Sequence, residues 1–303
     1  IYHKFLEYHD LMHLEYNFLD LFINGEYIGL YAIEEFMHKN LVEKNKRRDG
    51  ILLRDHTFLF NTKKVLENDK LKKIYEDYKN LLNNYEGNQI KVSDFYDLDK
   101  LAKHFAITQI FSGDHSHVTG NFITYYNPLT KKVEIIGYDA NSGNIKNHKL
   151  QLEKNAAYFF KNYSIYKLYK DEEFLKKYLF YLIKFSENKI LESFLKEYFT
   201  EIERTINIFQ RTKPWYTLDY IRNILINNQN YSKNYLSKYF KNENFINDNL
   251  PEFLNDHSIS FLKYENLNYK NDIFINQNGN ISSFPFINYN REEKIANIKS
   301  GKY

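Results

Sequence analysis

Apolar residues near the start of the chain fall in two short stretches with the composition of β-strands. These stretches run from Asn17 to Ile23 and from Tyr27 to Glu34, and both are rich in aromatic and β-branched side chains. Asn24-Gly25 lies between them and is a strong signal for a tight turn, because both residue types tolerate a left-handed backbone. The pattern predicts a β-hairpin.

The spacing of apolar residues lengthens after this hairpin. From Glu35 to Arg48 they recur at helical spacing, and Asp49-Gly50 ends the run. Ile51 to Arg54 is again a short apolar strand, and Leu66 to Tyr85 alternates charged and apolar residues as a solvated helix does. The predicted order so far is β, β, α, β, α.

The middle of the chain predicts a helix followed by a second hairpin. Asp97 is a plausible N-cap for a helix with one apolar face, which ends near Ser112-Gly113. Asn121 to Asn127 and Lys132 to Tyr138 alternate as strands around a loop, and the second strand leads into Asp139. Polar residues at the ends of this hairpin are expected to frame a cleft.

Beyond about residue 150 the chain has the apolar stripes of helices. After Asn242 it is rich in Asn and irregular, with a strand expected at Asp272 to Ile275. The helices are predicted at Glu172 to Phe185, Lys189 to Phe209, Leu218 to Ile226 and Tyr231 to Phe240.

The order of these elements predicts an α+β protein in three parts. Residues 1–92 are expected to form an N-terminal β/α lobe containing the first hairpin. Residues 93–241 are expected to hold the second hairpin and a helical lobe, and residues 242–303 an irregular C-terminal extension.

Composition narrows the classes of function. The 303 residues carry 42 Lys and Arg against 39 Asp and Glu, a net charge of +3, without a basic patch. Nucleic acid is therefore not an expected partner. The absence of cysteine excludes disulfides, thiolate zinc sites and a cysteine nucleophile.

Hydropathy predicts neither a membrane span nor a signal peptide. No apolar run approaches the ~18 residues that a transmembrane helix needs, and no basic segment precedes a hydrophobic one at the start. The first residue is Ile1 rather than Met, which is compatible with a fragment or processed form whose targeting segment lies outside the sequence.

Three oxygen-bearing side chains lie at the ends of elements in the middle of the chain. Asp114 follows a helix, Asn121 opens one strand and Asp139 closes the next. Phosphoryl transfer needs a carboxylate for the acceptor hydroxyl and oxygen ligands for Mg²⁺, and these residues supply both. The alternative is that all three cap or turn the backbone, and the pattern alone favours that interpretation.

Two longer stretches carry ordered motifs: NGEYIGLYAIEEFMHKNLVEKNKRRDGILLR (Asn24 to Arg54) and LAKHFAITQIFSGDHSHVTGNFITYYNPLTKKVEIIGYDANSG (Leu101 to Gly143). They resemble the two signatures of the CotH family of spore-coat kinases. The resemblance implies an atypical protein-kinase-like, two-lobed fold, with the β-hairpin in its N-terminal part and a mainly helical C-terminal lobe. It also implies ATP, Mg²⁺ or Mn²⁺, and a protein substrate that is phosphorylated on Ser or Thr.

The resemblance assigns roles position by position. Asp114 resembles the catalytic aspartate, and Asn121 and Asp139 resemble the residues that bind the metal. Glu35 and Arg54 fall where the family places its nucleotide-binding glutamate and lysine. Arg54 departs from the family, since a guanidinium and an ammonium bind phosphate differently. An ordinary ion pair between Glu35 and Arg54 is the alternative.

Two histidine pairs suggest other chemistry. His9 and His13 are four residues apart, as in zinc proteases, but lack the usual glutamate, so packing roles are favoured. His115 and His117 flank Asp114 and are expected to shape the acceptor pocket, assist Asp114 or bind a transition metal.

Three functions remain open at this stage. The first is an ATP-dependent protein kinase. The second is an inactive, kinase-like surface or coat assembly protein, which Arg54 motivates. The third, least supported by the residues, is a metal-dependent hydrolase using Asp114, His115, His117 and Asp139. The family association makes an envelope, cell-surface or spore-coat setting the expected one.

Overall fold

The computed structural model describes residues 1–140 and 167–256, and beyond them the backbone of four short strands. The chain forms two compact units, Ile1–Asn249 and Leu250–Tyr303. The predicted division at residues 92 and 93 stays a prediction. The four strands are β7 (Phe274–Ile275), β8 (Ile281–Ser282), β9 (Phe286–Asn290) and β10 (Ile295–Lys299), paired as β7 with β8 and β9 with β10.

The first hairpin is present as the sequence predicted. Strands β1 (Tyr16–Ile23) and β2 (Glu26–Glu34) pair antiparallel as a separate two-stranded sheet. Asn24 and Gly25 both have positive φ, at 51° and 86°, as a tight hairpin turn requires. Most of the hairpin's large apolar side chains are exposed.

A four-stranded antiparallel sheet lies at the centre of the first unit, in the order β4-β3-β5-β6. Strand β3 has its predicted bounds, Ile51–Arg54, and turns into the short β4 (Phe58–Leu59), which the sequence did not predict. The second predicted hairpin supplies β5 (Ile123–Asn127) and β6 (Lys132–Ile136). The sheet therefore joins strands from before and after residue 92.

Helices make up most of the rest of the described residues. The longest of the first half is α4, which carries a hydrophobic stripe, and α6 is largely buried. The helices are α1 (Tyr2–Tyr8), α2 (Lys39–Lys44), α3 (Thr62–Glu67), α4 (Asp69–Glu86), α5 (Val92–Phe95), α6 (Leu98–Ile110), α7 (Glu172–Phe185), α8 (Asn188–Glu197), α9 (Phe199–Gln210), α10 (Leu218–Leu236) and α11 (Ile246–Asp256).

Local capping accounts for helices that are shorter than predicted. The helix expected from Glu35 begins only at Lys39, because the His38 side chain accepts a hydrogen bond from the N–H of Asn40. The helix expected from Leu66 is divided, because the Asn68 side chain accepts the N–H of Leu71 at 3.0 Å and starts α4.

Buried amides account for a helix that is longer than predicted. Helix α10 continues through Asn228 and Gln229, which the sequence analysis treated as a break between two helices. Their side chains donate to the last carbonyls of α6 and α7: Asn228 Nδ2 to Ile110 O at 2.8 Å, and Gln229 Nε2 to Phe185 O at 2.7 Å. Both amides cap neighbouring helices, so the polar run belongs to the core.

The observed architecture confirms the α+β class and the mainly helical second half. Within the described residues, no helix has both the length and the apolar character needed to cross a bilayer. Helix α6 is the element that leads to the candidate site. Its N-cap Asp97 is confirmed, with the side chain accepting the N–H of Lys100 at 3.3 Å.

Candidate active site

Asp114 lies on a short loop that closes against the loop after β6. Helix α6 ends at Ile110, Ser112 adopts a left-handed φ of 51°, and Asp114 begins a 3-10 helix that runs to His117. A Cβ atom on Gly113 would lie 2.9 Å from the Cβ of Ala140, closer than unstrained atoms approach. The absence of a side chain at Gly113 therefore lets the segments carrying Asp114 and Asp139 pack together.

Asn121 and Asp139 contact each other directly. The Asn121 Nδ2 donates to Asp139 Oδ2 at 3.0 Å and to the backbone oxygen of His115 at 3.1 Å. Because both partners are acceptors, they fix which end of the amide faces them, and the Asn121 Oδ1 points the other way. Asn121 lies in the turn two residues before β5 rather than on the strand itself.

His115 completes this cluster. Its Nδ1 lies 3.2 Å from Asp139 Oδ2, 3.0 Å from the backbone oxygen of Asp139 and 3.1 Å from Asn121 Nδ2. Several roles are open to His115 from its place in the sequence, and the structure places it between the two predicted metal ligands. Its neighbour His117 instead stacks on Phe105, with ring centroids 4.0 Å apart.

Close packing behind β6 fixes the position of Asp139. The N–H of Gly137 donates to the backbone oxygen of Met12 at 3.0 Å, and a Cβ on Gly137 would lie 2.2 Å from Leu6 Cδ1. Asp139 itself has a φ of 39°, an uncommon conformation for a residue with a side chain. The residue is therefore held by its surroundings in a conformation that the isolated chain disfavours.

Glu35 contacts a lysine that the sequence analysis did not single out. Its Oε1 lies 3.6 Å from Lys44 Nζ, and its Oε2 accepts the N–H of Glu15 at 3.1 Å. The side chain is only 12% exposed. Among the described residues its ion pair is with Lys44, so the alternative of a pair with Arg54 is wrong.

Arg54 lies at the end of β3, between two aromatic rings. Its guanidinium carbon is 5.2 Å from the centroid of Phe60 and 5.7 Å from that of Tyr138, and its Nε is buried. Tyr138 immediately precedes Asp139, which brings Arg54 towards the Asp139 loop. The pairing of β3 with β5 adds to this, because Arg54 lies opposite Ile123.

The base of the first hairpin approaches the same loop. Burial raises the pKa of Tyr16, and the hydrogen bond from its hydroxyl to Glu34, together with the negative charges of Glu34 and Asp139, raises it further. Neither Tyr16 nor Glu34 was a predicted site residue. Their proximity depends on how the hairpin packs, and no local motif signals it.

The donor set suits a hard divalent cation. Asp139 supplies carboxylate oxygens and Asn121 an amide oxygen, and Mg²⁺ in nucleotide sites is commonly held by one or two such ligands together with phosphates and water. In the described part of the chain, no three His, Asp or Glu side chains form a group that could hold a metal ion. The hydrolase alternative therefore finds no ligand series there.

The zinc-protease spacing of His9 and His13 does not produce a shared helix face. Helix α1 ends at Tyr8, and Asp10 follows with a left-handed φ of 55°. His9 packs among rings, 4.8 Å from Phe5 and 4.7 Å from Phe185 between centroids. The favoured packing interpretation agrees with this position.

Comparison with known proteins supplies the family. No curated protein matches the chain. The family described as CotH kinase protein matches residues 3–246, which include both hairpins, the loop of Asp114 and helices α6 to α10. Because this match covers most of the sequence, the chain belongs to the CotH kinase protein family.

Proposed function

We propose that this chain is an ATP- and divalent-metal-dependent protein kinase that transfers phosphate to Ser or Thr. The contact that carries the proposal is the hydrogen bond between Asn121 Nδ2 and Asp139 Oδ2 at 3.0 Å. It joins two oxygen-bearing side chains, one from the turn before β5 and one from the loop after β6. Gly113 in turn lets the loop after β6 pack closely against the segment of Asp114.

Asp139 and Asn121 would hold the metal. The hydrogen bond uses Asp139 Oδ2 and turns the Asn121 Oδ1 away from Asp139, so Asp139 Oδ1 would bind the cation, and Asn121 Oδ1 would join it on rotation of the Asn121 amide. A bound Mg²⁺ or Mn²⁺ would neutralise charge on the phosphates of ATP. His115, within 3.2 Å of Asp139 Oδ2, helps to keep the carboxylate in place.

Asp114 would orient the acceptor hydroxyl. It lies at the start of a 3-10 helix and is 8% exposed, so water screens its charge less than it would on an open surface. Phosphoryl transfer depends mainly on positioning and electrostatics, which a fixed carboxylate provides. Glu35 and Arg54 would contribute on the nucleotide side.

Transfer of labelled phosphate tests the proposal. The purified chain is incubated with γ-labelled ATP, Mg²⁺ or Mn²⁺ and a mixture of Ser- and Thr-containing proteins. Asp139→Ala and Asp114→Asn should each reduce incorporation by at least about 100-fold, the scale expected for a lost electrostatic group. The matched control is Asp69→Ala, at an exposed position in the first turn of α4. Label that is absent, or that persists in Asp139→Ala, would reject a kinase.

An inactive assembly protein is the second candidate. Two observations favour it: Arg54 stands where the family has lysine, and the first hairpin exposes Phe22, Tyr27 and Tyr31. Thermal unfolding with ATP and metal separates the two candidates. An inert assembly protein should show no stabilisation by ATP with metal, whereas a chain that binds the nucleotide should. A ligand present at 100 times its dissociation constant should stabilise the fold by about 2.7 kcal/mol. Stabilisation without transfer would indicate a binding protein that has lost catalysis.

A further inference from the structure

Asp55 reaches the candidate site from the turn after β3. Its Oδ2 accepts the backbone N–H of Gly120 at 2.7 Å, and its own N–H donates to the backbone oxygen of Phe122 at 2.8 Å. Gly120 and Phe122 are the two chain neighbours of Asn121. Asp55 thus holds the backbone on both sides of the predicted metal ligand.

The turn that presents Asp55 is itself firmly held. Asp55 and His56 both have left-handed φ values, of 48° and 63°. The buried His56 ring contacts the hydroxyl of Tyr96 at 2.7 Å, and the Tyr78 hydroxyl donates to the His56 backbone oxygen at 2.9 Å. The turn is therefore anchored to α4 and to the residue after α5, and Asp55 acts from a fixed point.

The path from Asp55 to the candidate site is short. Asp55 fixes Gly120 and Phe122, the Asn121 side chain between them reaches Asp139, and a second bond, from the N–H of Asn121 to Val118 O at 3.0 Å, closes the turn. Gly120 has a φ of 95°, a conformation that favours glycine, and a glycine has no side chain to limit the motion of the backbone. The Asp55 carboxylate restrains the backbone there by accepting the Gly120 N–H.

We propose that Asp55 is a positioning residue that holds Asn121 against Asp139 through Gly120 and Phe122. Its consequence for metal affinity rests on the proposed function. The hydrogen bond itself does not, because both of its atoms belong to the chain. Partners that orient a metal ligand typically change metal affinity by about 10- to 100-fold when they are removed.

Two substitutions distinguish the effect of the Asp55 carboxylate from that of the left-handed backbone at this position. Asp55→Gly keeps the left-handed backbone but removes the acceptor of the Gly120 N–H. Asp55→Asn keeps both, since Asn also tolerates this conformation and carries an acceptor oxygen. Asp10→Gly is the matched control, because Asp10 is also left-handed, with a φ of 55°, and its side chain is 77% exposed.

Two measurements are made on each variant. Amide hydrogen exchange over residues 118–122 in the free protein should be faster in Asp55→Gly and unchanged in Asp55→Asn and Asp10→Gly. Mn²⁺ binding in the presence of a non-hydrolysable ATP analogue, followed by electron paramagnetic resonance, should weaken by at least about 10-fold in Asp55→Gly alone.

Each result has a defined meaning. Unchanged exchange in Asp55→Gly would overturn the role of Asp55, and so would faster exchange with unaltered Mn²⁺ affinity. Failure of Asp55→Asn to restore both readouts would also contradict it. If the wild-type protein binds no Mn²⁺, the proposed function is wrong, and exchange at residues 118–122 alone decides whether Asp55 holds the loop.

Discussion

A buried carboxylate on the four-stranded sheet provides a test of how the sheet packs against its neighbours. Glu134 lies on β6, and its side chain is 1% exposed. It accepts hydrogen bonds from Arg47 Nε at 2.9 Å, Lys100 Nζ at 2.9 Å and Asn127 Nδ2 at 2.8 Å. These contacts join the segment after α2 and helix α6 to the sheet. Glu134→Gln removes the charge and keeps the shape.

The structure sets the size of the effect. Removing one partner from a buried charge pair costs about 3–5 kcal/mol, because the other charge loses its counterpart. The Lys100 side chain is 23% exposed, and Arg47 retains a second contact with Asp10 at 3.3 Å. Both features reduce the cost of leaving these cations without their partner, so Glu134→Gln should lower the free energy of unfolding by about 3 kcal/mol.

The pH dependence follows from the same contacts. Burial opposes ionisation of Glu134, but the hydrogen bond from Asn127 and the cations Lys100 and Arg47 outweigh it, and its pKa lies below the ordinary value. The ionised carboxylate therefore stabilises the fold above the pKa of an unfolded glutamate, about 4.3, and this contribution is lost as the pH falls through the folded pKa. The difference in the free energy of unfolding between wild type and Glu134→Gln should therefore become smaller in acid.

Urea denaturation followed by circular dichroism measures the free energy of unfolding and, when repeated over a series of pH values, its pH dependence. The control is Glu172→Gln, whose side chain is 67% exposed and pairs with Lys176 on the surface of α7. That change should alter stability by less than about 0.5 kcal/mol. A Glu134→Gln variant as stable as the control, or a gap that does not narrow in acid, would refute the reasoning.

Two further predictions concern buried histidines and the packing of the site. Burial lowers the pKa of His56 and of His104 to about 3, so their neutral forms stabilise the fold above about pH 6.5. Acidification to about pH 5 should cost roughly 2 kcal/mol per histidine, and urea denaturation of His104→Gln should show a smaller pH slope. Gly113→Ala would place its Cβ 2.9 Å from Ala140 Cβ. Phosphotransfer should then fall by at least about 10-fold, and unaltered kcat/KM would contradict the packing argument.

Local signals were sufficient for much of the fold. Asn24-Gly25 and the N-cap Asp97 predicted their elements because the chemistry that sets each lies within a few residues. Helix α10 was not predictable in this way. Its Asn228 and Gln229 are core residues only because the ends of α6 and α7 lie within hydrogen-bond distance, which is a property of the tertiary structure.

The candidate site likewise contains residues that the sequence could indicate and residues that only tertiary contacts bring to it. Asp114, Asn121 and Asp139 were named from their order along the chain and from the family resemblance, and their roles stay predictions; the structure brings the last two into contact. His115 was noticed, but its position between them follows from the 3-10 helix. Asp55 carried no signal, because its partner Gly120 is 65 residues away and offers only a backbone N–H.

Several residues around the site adopt backbone conformations that cost free energy. Nine non-glycine residues in the described part of the chain have left-handed φ values, and four of them, Asp55, His56, Ser112 and Asp139, lie in the segments that meet at the site or hold them. Each such conformation costs free energy that the surroundings must offset, and strained residues of this kind collect where geometry matters more than local stability. Here the offsets are visible: Tyr96 and Tyr78 hold the Asp55 turn, and close packing at Gly113 and Gly137 holds the others. The segments that carry Asp55 and Asp139 are therefore held by residues distant in the sequence, and the roles of the site residues stay predictions.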